Sequence, residues 1–268
     1  LTETLALNLQ GGFSDEDDYR SIYGNVGVEL NPDRGPLTLT ASLGYASDTL
    51  EPTQGATPTS TLKDDKRSLR LNAGASYILN RVTVVQASVG YQDHSGFLSD
   101  PYKAAIIESI GGTVFDSRPD GRRAHHVLAR IRHFVEPLQG ALHADYRYYR
   151  DDWKIHSHTV ELTWHQTLPD YWRVSPGVRW YSQSQAFFYA PFYAAPRTDG
   201  FASSDYRLSP FGALSFRLDV TKGWNRWAFG GGVEHYEAKG SYAAGSVRVE
   251  NPGLVRYTAF NARVAFAF

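Results

Sequence analysis

The 268-residue chain has no cysteine, which excludes disulfides, thiolate metal centres, cysteine nucleophiles and thioether-linked haem. It has no methionine either, as expected of a processed chain whose start has been removed. An excess of one charge is also lacking: 27 Lys and Arg stand against 28 Asp and Glu, and a net charge of −1 argues against a nucleic-acid surface or an acidic tail. No apolar run reaches the ~18 residues of a membrane helix, and helical periodicity is nearly absent. A helical membrane protein is thereby excluded. A transmembrane β-barrel is not, because its strands alternate oily and polar residues and average to a near-soluble hydropathy.

What the chain has instead is aromatic residues at 14%, with 17 Tyr, 14 Phe and 6 Trp, together with 24 Gly. Apolar side chains recur at every second position from end to end, as in Leu5, Leu7, Leu9; Leu37, Leu39, Ala41, Leu43; and Leu69, Leu71, Ala73, Ala75, Tyr77. Successive side chains of a strand point to opposite faces, so each such segment reads as a strand with one oily and one polar face. The pattern predicts about twelve strands, over 2–10, 19–30, 36–46, 67–79, 82–92, 124–135, 141–150, 155–167, 172–184, 206–219, 224–237 and 254–268. Tight turns are expected at "NPDRG" (31–35), "LNR" (79–81), "EPLQG" (136–140), "LPDY" (168–171) and "VTKG" (220–223). The alternate links are mostly longer, at 11–18, 47–66, 93–123, 185–205 and 238–253, with a short one at 150–154.

The expected fold is all-β: a transmembrane antiparallel up-and-down β-barrel of about twelve strands, forming one domain over 1–268. Short periplasmic turns would alternate with long extracellular loops, and both chain ends would be periplasmic. A soluble sandwich or lipocalin-like barrel would carry many lysines on its polar faces. Here those faces are thin in charge, and aromatics collect near strand ends at Tyr45, Tyr77, Tyr91, Trp164, Trp172, Trp224 and Trp227, as interfacial girdles would.

Three stretches, "GFLSDPYK" (96–103), "YRYYRDDWKIHSHTVEL" (146–162) and "RWYSQSQAFFY" (179–189), resemble a family of bacterial outer-membrane β-barrels of unknown function, and the likeness runs across most of the chain. The resemblance implies the barrel fold and the bacterial outer membrane. Members of that family occur beside small lipoproteins and flavin-transferase-like proteins, which implies a lipoprotein or a periplasmic redox partner in an extracytoplasmic redox or export system. The closing "YTAFNARVAFAF", with Val264, Phe266 and Phe268 at alternate positions, looks like the C-terminal signal by which barrel-assembly machinery recognises its clients. Phe268 is the expected assembly signal, and the last strand is expected to close the barrel against the first.

On the row opposite each oily row, arginine predominates. The lumen candidates are Arg70, Arg130, Arg132, Arg147, Arg173, Arg179, Arg207, Arg217, Arg226 and Arg263, against Glu29, Asp145, Glu161 and Glu234. The "EPLQG" turn is expected to set Arg132 near Asp145 and Arg130 near Arg147. An excess of guanidinium within a low-dielectric wall concentrates anions; a paired network of the same arginines would simply fill the barrel.

At the long-loop end the family-like stretches gather Asp100, Lys103, Arg150, Asp151, Asp152, His156 and His158, with Asp93, His94, His125 and His126 beside them. Such groups suit either of two roles: a metal held by His125, His126, His156 and His158, or loops fastened by Asp100 and Asp152. "PYKAAIIESIGG", within 93–123, is expected to enter the mouth as a short helix or constriction. "AFFYAPFYAAP", within 185–205, is expected to pack over the mouth or to form a docking patch.

No glycine-flanked nucleophile elbow occurs, no carboxylate pair is set for hydrolysis, and the neighbours in "HSH" (156–158) point to opposite faces. No catalytic residue is assigned, enzymatic activity is not expected, and no cofactor is implied. The expected function is an outer-membrane channel or transport conduit for small polar, anionic solutes. The alternative is a non-conducting barrel scaffold that houses or anchors a partner lipoprotein or redox protein. Outer-membrane lipid and the barrel-assembly machinery are the expected general partners, and nucleic acid is not.

Overall fold

Alternating side chains can satisfy two different surroundings only if the backbone stays extended, and the computed structural model, which describes residues 4–53 and 63–267, is built of extended strands. In chain order these are β1 (Leu5–Asp15), β2 (Tyr19–Leu30), β3 (Leu37–Leu50), β4 (Asp64–Asn80), β5 (Thr83–Gly96), β6 (Ala104–Ile107), β7 (Gly112–Phe115), β8 (Gly121–Val135), β9 (Gly140–Asp151), β10 (His156–Leu168), β11 (Trp172–Gln183), β12 (Phe211–Trp224), β13 (Trp227–Lys239) and β14 (Arg256–Phe266). Twelve of them form one sheet in sequence order, each antiparallel to the next, and only the hairpin β6–β7 is set apart. This is the expected up-and-down transmembrane architecture. Short turns join the strands at one end and long links at the other, and β1 begins and β14 finishes at the short-turn end.

The register carries each oily row from strand to strand. Leu9 stands opposite Val26, Val26 opposite Leu43, Leu43 opposite Leu71 and Leu71 opposite Tyr91. On the far side Leu162 meets Val178, Val178 meets Phe216, Leu218 meets Val233 and Val233 meets Phe260. Many of these side chains are exposed, with Leu43 at 47% and Phe216 at 56% exposure, which is how a lipid-facing surface appears without its lipid. Aromatics end the band: Trp227 lies 4.7 Å from Phe266 at the short-turn end, and Tyr45 and Tyr91 stand at the other. The opposite, inner rows are polar, for example Asn25, Gly44, Arg70 and Gln92 across β2 to β5.

Several expectations are corrected. The strand placed at 206–219 begins at Phe211, and Tyr206–Leu208 is a 3-10 turn, so Arg207 is not on the inner face. The strand runs through "VTKG", and the reversal falls on Asn225 and Arg226, which puts Arg226 in a turn; Asn225 supplies a left-handed φ of 53° that asparagine tolerates. Lys222 can remain on the outer row because its ammonium snorkels, 5.1 Å over the Trp172 ring. In the "EPLQG" hairpin, a 3-10 turn over Glu136–Leu138 and a left-handed Gln139 absorb residues, so Arg130 faces Asp145 and Arg132 faces His143; Arg132 still pairs with Asp145 as expected, but Arg147 faces Leu128 rather than Arg130.

"PYKAAIIESIGG" forms β6, a single 3-10 turn over Glu108–Ile110 and the start of β7, a hairpin in place of a lone helix; its turn closes on Gly111 at φ 61°. Finally, among the described residues no ladder joins β14 to β1, and every residue of β14 is exposed. Alternation specifies faces and sequence neighbours, whereas closure depends on tilt and shear summed over the whole sheet. Phe268, the expected assembly signal, lies outside the described residues.

The face assignment has a direct test in adjacent residues. Leu43→Arg, on the outer row, should cost about 2–4 kcal/mol of folding free energy in a bilayer. Ser42→Arg, on the inner row, should cost little. Urea titration of the two variants in lipid vesicles reads the difference.

Candidate functional site: a charged inner face under a loop cap

The inner rows of β5 and β8 to β13 form a charged belt. Gln86, Arg130, Asp145, Glu161, Arg179 and Ser215 lie side by side across six strands. The next row towards the short turns carries Arg132, His143, Thr163, Gly177, Arg217 and Glu234. Asp145 accepts from Arg130 at 3.1 Å and also from Arg132. Arg217 reaches Glu161 at 3.1 Å and Asp219 at 3.4 Å, Glu234 accepts from Ser215, and Arg263 donates to Thr221 Oγ1 at 3.2 Å. Among the described residues Arg70, Arg147, Arg173 and Arg179 have no carboxylate within ion-pair distance. Removing an unpaired guanidinium from water costs several kcal/mol, so these four require a wet inner face. Apart from Arg70 and Glu29, the middle of the inner face from β1 to β4 is neutral, with Asn8, Gln10, Asn25, Thr40, Ser42 and Asn72.

Over the long-loop end of these strands, three links knit into a cap. Trp153 and Ile155 from the β9–β10 link pack with Ala186, Phe188, Tyr189 and Leu208 from the β11–β12 link. Ile107 and Ala105 of β6 pack with Tyr193 and Ala202 of the same long link, and Ile107 also bridges to Tyr193 in parallel. "AFFYAPFYAAP" is thus mainly core. The cap sits on the inner side: inner-row Tyr149 packs against its core, and inner-row Gln183 donates to the Arg207 and Ser209 carbonyls at 3.0 and 2.6 Å.

Its polar centre joins Asp116 and Asp205, both buried. Arg118 donates to Asp116 at 2.6 Å and to Asp205 at 2.9 Å, and Ser203 donates to Asp116. Arg207 bonds Asp205 at 2.8 Å and pairs with Asp100, while Lys103 lies 3.9 Å from Asp205. Asp100, Lys103 and Arg207 are therefore brought together, around two aspartates and an arginine that sequence reading missed. Only the Asp and Arg content of two distant loops pointed that way, with no spacing to connect them.

The other rim residues separate. Asp151 is buried and fastens its link: it accepts from Arg122 at 2.6 Å, from Tyr149 Oη at 3.0 Å and from the Ile155 amide at 2.8 Å. Asp152, expected to fasten loops, sits at the surface 3.8 Å from Arg123. Arg150, His125, His156 and His158 are on the outer row and His126 on the inner, so the four histidines do not converge. Among the described residues no cluster of three or more potential ligands could hold a metal. Most histidines are instead held by hydroxyls, as in Ser68–His94 at 2.8 Å, Thr83–His133 at 2.9 Å and Thr258–His235 at 2.9 Å. His165 touches Ser175 Oγ at 2.9 Å and His143 at 3.2 Å on the inner face, a contact made by hairpin register that linear spacing does not show.

Burial pushes the Asp205 carboxyl up, but hydrogen bonds from Arg207 and the charge of Arg118 outweigh it and hold the group below the usual carboxylate range. A carboxyl depressed on folding contributes stability above its unfolded pKa and loses it as pH falls through the folded one. The cap should therefore stay closed at neutral pH and loosen only below about pH 4, seen as faster hydrogen exchange in 97–120 and 184–210. Asp205→Asn should loosen it at neutral pH, with a local cost of about 3–5 kcal/mol, while the strands keep their protection.

Comparison with solved structures places this geometry. The siderophore receptor PirA from Pseudomonas aeruginosa superposes with a TM-score of 0.58 at 12% identity, over 98% of this chain and 50% of the receptor. PirA from Acinetobacter baumannii gives 0.58 at 12% over 99% and 46%, and the ferric enterobactin receptor PfeA from Pseudomonas aeruginosa 0.57 at 10% over 98% and 46%. The chain spans about half the length of these receptors, and the likeness shows the outer-membrane β-barrel fold alone. No curated protein sequence matches the chain. The family resemblance carried by the three loop-side stretches holds: with a match over residues 1–253, the chain belongs to the family described as Protein of unknown function (DUF3570).

Proposed function

We propose that this β-barrel protein lies in the bacterial outer membrane with both chain ends periplasmic and the long loops outside, and that its inner face forms a conduit for small anionic solutes. The observation that carries the reading is the set of inner-row guanidiniums without carboxylate partners, Arg147, Arg173 and Arg179 within the charged belt and Arg70 beside it. Each would attract an anion by about 1 kcal/mol at ~4 Å in water, roughly fivefold in local concentration, and by more against a low-dielectric wall. The paired members of the belt, Arg130, Arg132 and Arg217, hold the shape of the wall and add less field. The reading is non-catalytic: the His165–Ser175 contact has no arranged oxyanion donors among the described hydrogen bonds, and it repeats a hydroxyl–imidazole pairing found elsewhere in the sheet.

One feature favours the second reading, a non-conducting scaffold for a lipoprotein or redox partner. The cap packs on the inner side of the strands that carry the belt, and its dry core narrows the mouth there.

Conductance in planar bilayers under a salt gradient separates the two. The expected result is a reversal potential of anion-selective sign, with Arg147→Gln plus Arg179→Gln lowering the chloride-to-potassium permeability ratio by roughly fivefold or more. Cation selectivity would overturn the arginine argument. A silent barrel that opens when Asp205→Asn loosens the cap would assign the cap as a plug, and one silent in both forms would favour the scaffold.

A further inference from the structure

The link between β13 and β14 reaches the cap at buried Asn251, which donates to Tyr189 Oη at 2.8 Å and to the Ser204 carbonyl at 3.1 Å. Its first part, by contrast, lies over the outer face of β11 and β12. Its 3-10 turn, Gly240–Tyr242, receives a hydrogen bond from outer-row Trp180 Nε1 to the Tyr242 carbonyl at 2.9 Å, and the Ala244 amide donates to outer-row Ser182 at 2.8 Å. Gly212, opposite Ser182 in register, permits this approach, since a Cβ there would stand 2.0 Å from the Tyr242 carbonyl carbon.

Between this link and the strand ends lies a cavity of about 600 Å³, the size of a small-molecule site. Outer-row His156 and His158 line one wall, and Arg248, Val247 and Val249 come from the link. Tyr148 Oη meets His156 Nδ1 at 3.1 Å, and Tyr146 Oη meets His158 Nδ1 at 2.9 Å. With a tyrosine hydroxyl donating to Nδ1, a neutral imidazole carries its proton on Nε2, and no partner for either Nε2 occurs among the described hydrogen bonds. Arg248 is exposed and has no ion pair among the described residues. The remaining polar lining is hydroxyl and amide: Ser182, Gln183, Ser184, Gln185, Ser246 and cap-core Tyr189, whose hydroxyl accepts from Asn251.

The position is as informative as the lining. Val160, Trp180 and Leu214 lie one outer row further into the lipid-facing band, two residues or roughly 7 Å along the strands from His158 and Ser182. The cavity thus lies at the long-loop strand ends, between the outer row and cap residues Tyr189, Pro191 and Pro210, one row above the lipid-facing band. Imidazole and guanidinium donors match phosphate, hydroxyls and amides match sugar, and the adjoining oily row matches acyl chains.

We propose that this cavity binds the phosphorylated sugar headgroup of a glycolipid of the lipid A type from the long-loop leaflet. The choice of that leaflet's lipid rests on the reading that the long loops face outside; the pocket itself does not depend on the conduit.

The test is lipid retention by the full chain refolded in neutral detergent, read by native mass spectrometry against lipid A, dephosphorylated lipid A, phosphatidylglycerol and inorganic phosphate. One lipid A per chain should survive, in preference to the other three. Arg248→Ala, at an exposed site, and His156→Ala with His158→Ala should each weaken retention by about tenfold or more, as expected for lost hydrogen bonds to a charged group. Their heat-modifiable gel mobility and reversal potential should stay unchanged. Equal retention of dephosphorylated lipid A or of phosphatidylglycerol, or undiminished retention by variants with native mobility, would overturn the assignment. Binding of inorganic phosphate alone would overturn the glycolipid. Selectivity unchanged in these variants while lipid is lost keeps this outcome distinct from any failure of the conduit.

Discussion

In hydrocarbon a backbone N–H or carbonyl has no water to turn to, and each one left unpaired costs several kcal/mol. Everything else in this protein follows from meeting that demand between strands. Eleven consecutive antiparallel ladders pair the interior of the sheet, and the demand then falls on the outer edges of β1 and β14, which carry no ladder among the described residues. An oily edge such as β14, with Phe260 at 81% exposure, is stable in a membrane only when something lies along it. Once the ladders are set, the side chains have no freedom of direction. Each is committed to lipid or to the inner space by its place in the alternation.

That commitment sorts the charges. On the outer rows the polar groups lie mainly towards the ends, where Lys222 snorkels at the short-turn side and His156, His158, Arg150 and Glu237 stand at the long-loop side, while His235, opposite Phe216, is held by Thr258. The inner rows take the guanidiniums and carboxylates of the middle of the strands. Water on that face lets Arg147 and Arg179 remain unpaired, whereas Asp145, shared by Arg130 and Arg132, is neutralised in place. The cap has the opposite design. It is a small dry core whose buried aspartates, Asp116 and Asp205, are tolerable because Arg118 serves both and Arg207 and Ser203 satisfy what remains. One chain thus holds arginine in two settings, on the polar inner face in the belt and desolvated as a clasp in the cap.

The strands were legible because period two is a local signal: Leu37 to Tyr45 reads as one face without knowledge of any partner strand. The inner placement of Arg70, Arg130, Arg132, Arg147, Arg173, Arg179, Arg217 and Arg263 followed from the same parity. Arg207 was misplaced because "YRLSP" alternates as a strand does, while its backbone is held by Asp205 capping the 3-10 turn, a contact from a loop core that no local pattern records. Asp152 was preferred to Asp151 for an analogous reason. Two adjacent carboxylates in a turn are equivalent in sequence, and only the inner position beside Arg122 and Tyr149 makes one of them the fastener.

By itself the sequence determined the class of fold, the two faces, the consecutive pairing of the twelve sheet strands and the crowding of arginine inside, since all of these depend on residues a few positions apart. The tertiary structure decided how Arg130 and Arg132 share Asp145, that three links fold inward as a cap while the fourth crosses from Trp180 and Ser182 on the outer face to Tyr189 of the cap, and that the His165–Ser175 contact exists. Each of these depends on hairpin register or on the meeting of loops 60 to 90 residues apart, as with Trp180 and Tyr242 or Arg118 and Asp205. Such meetings are set by side-chain packing in three dimensions, and no period in a linear chain encodes them.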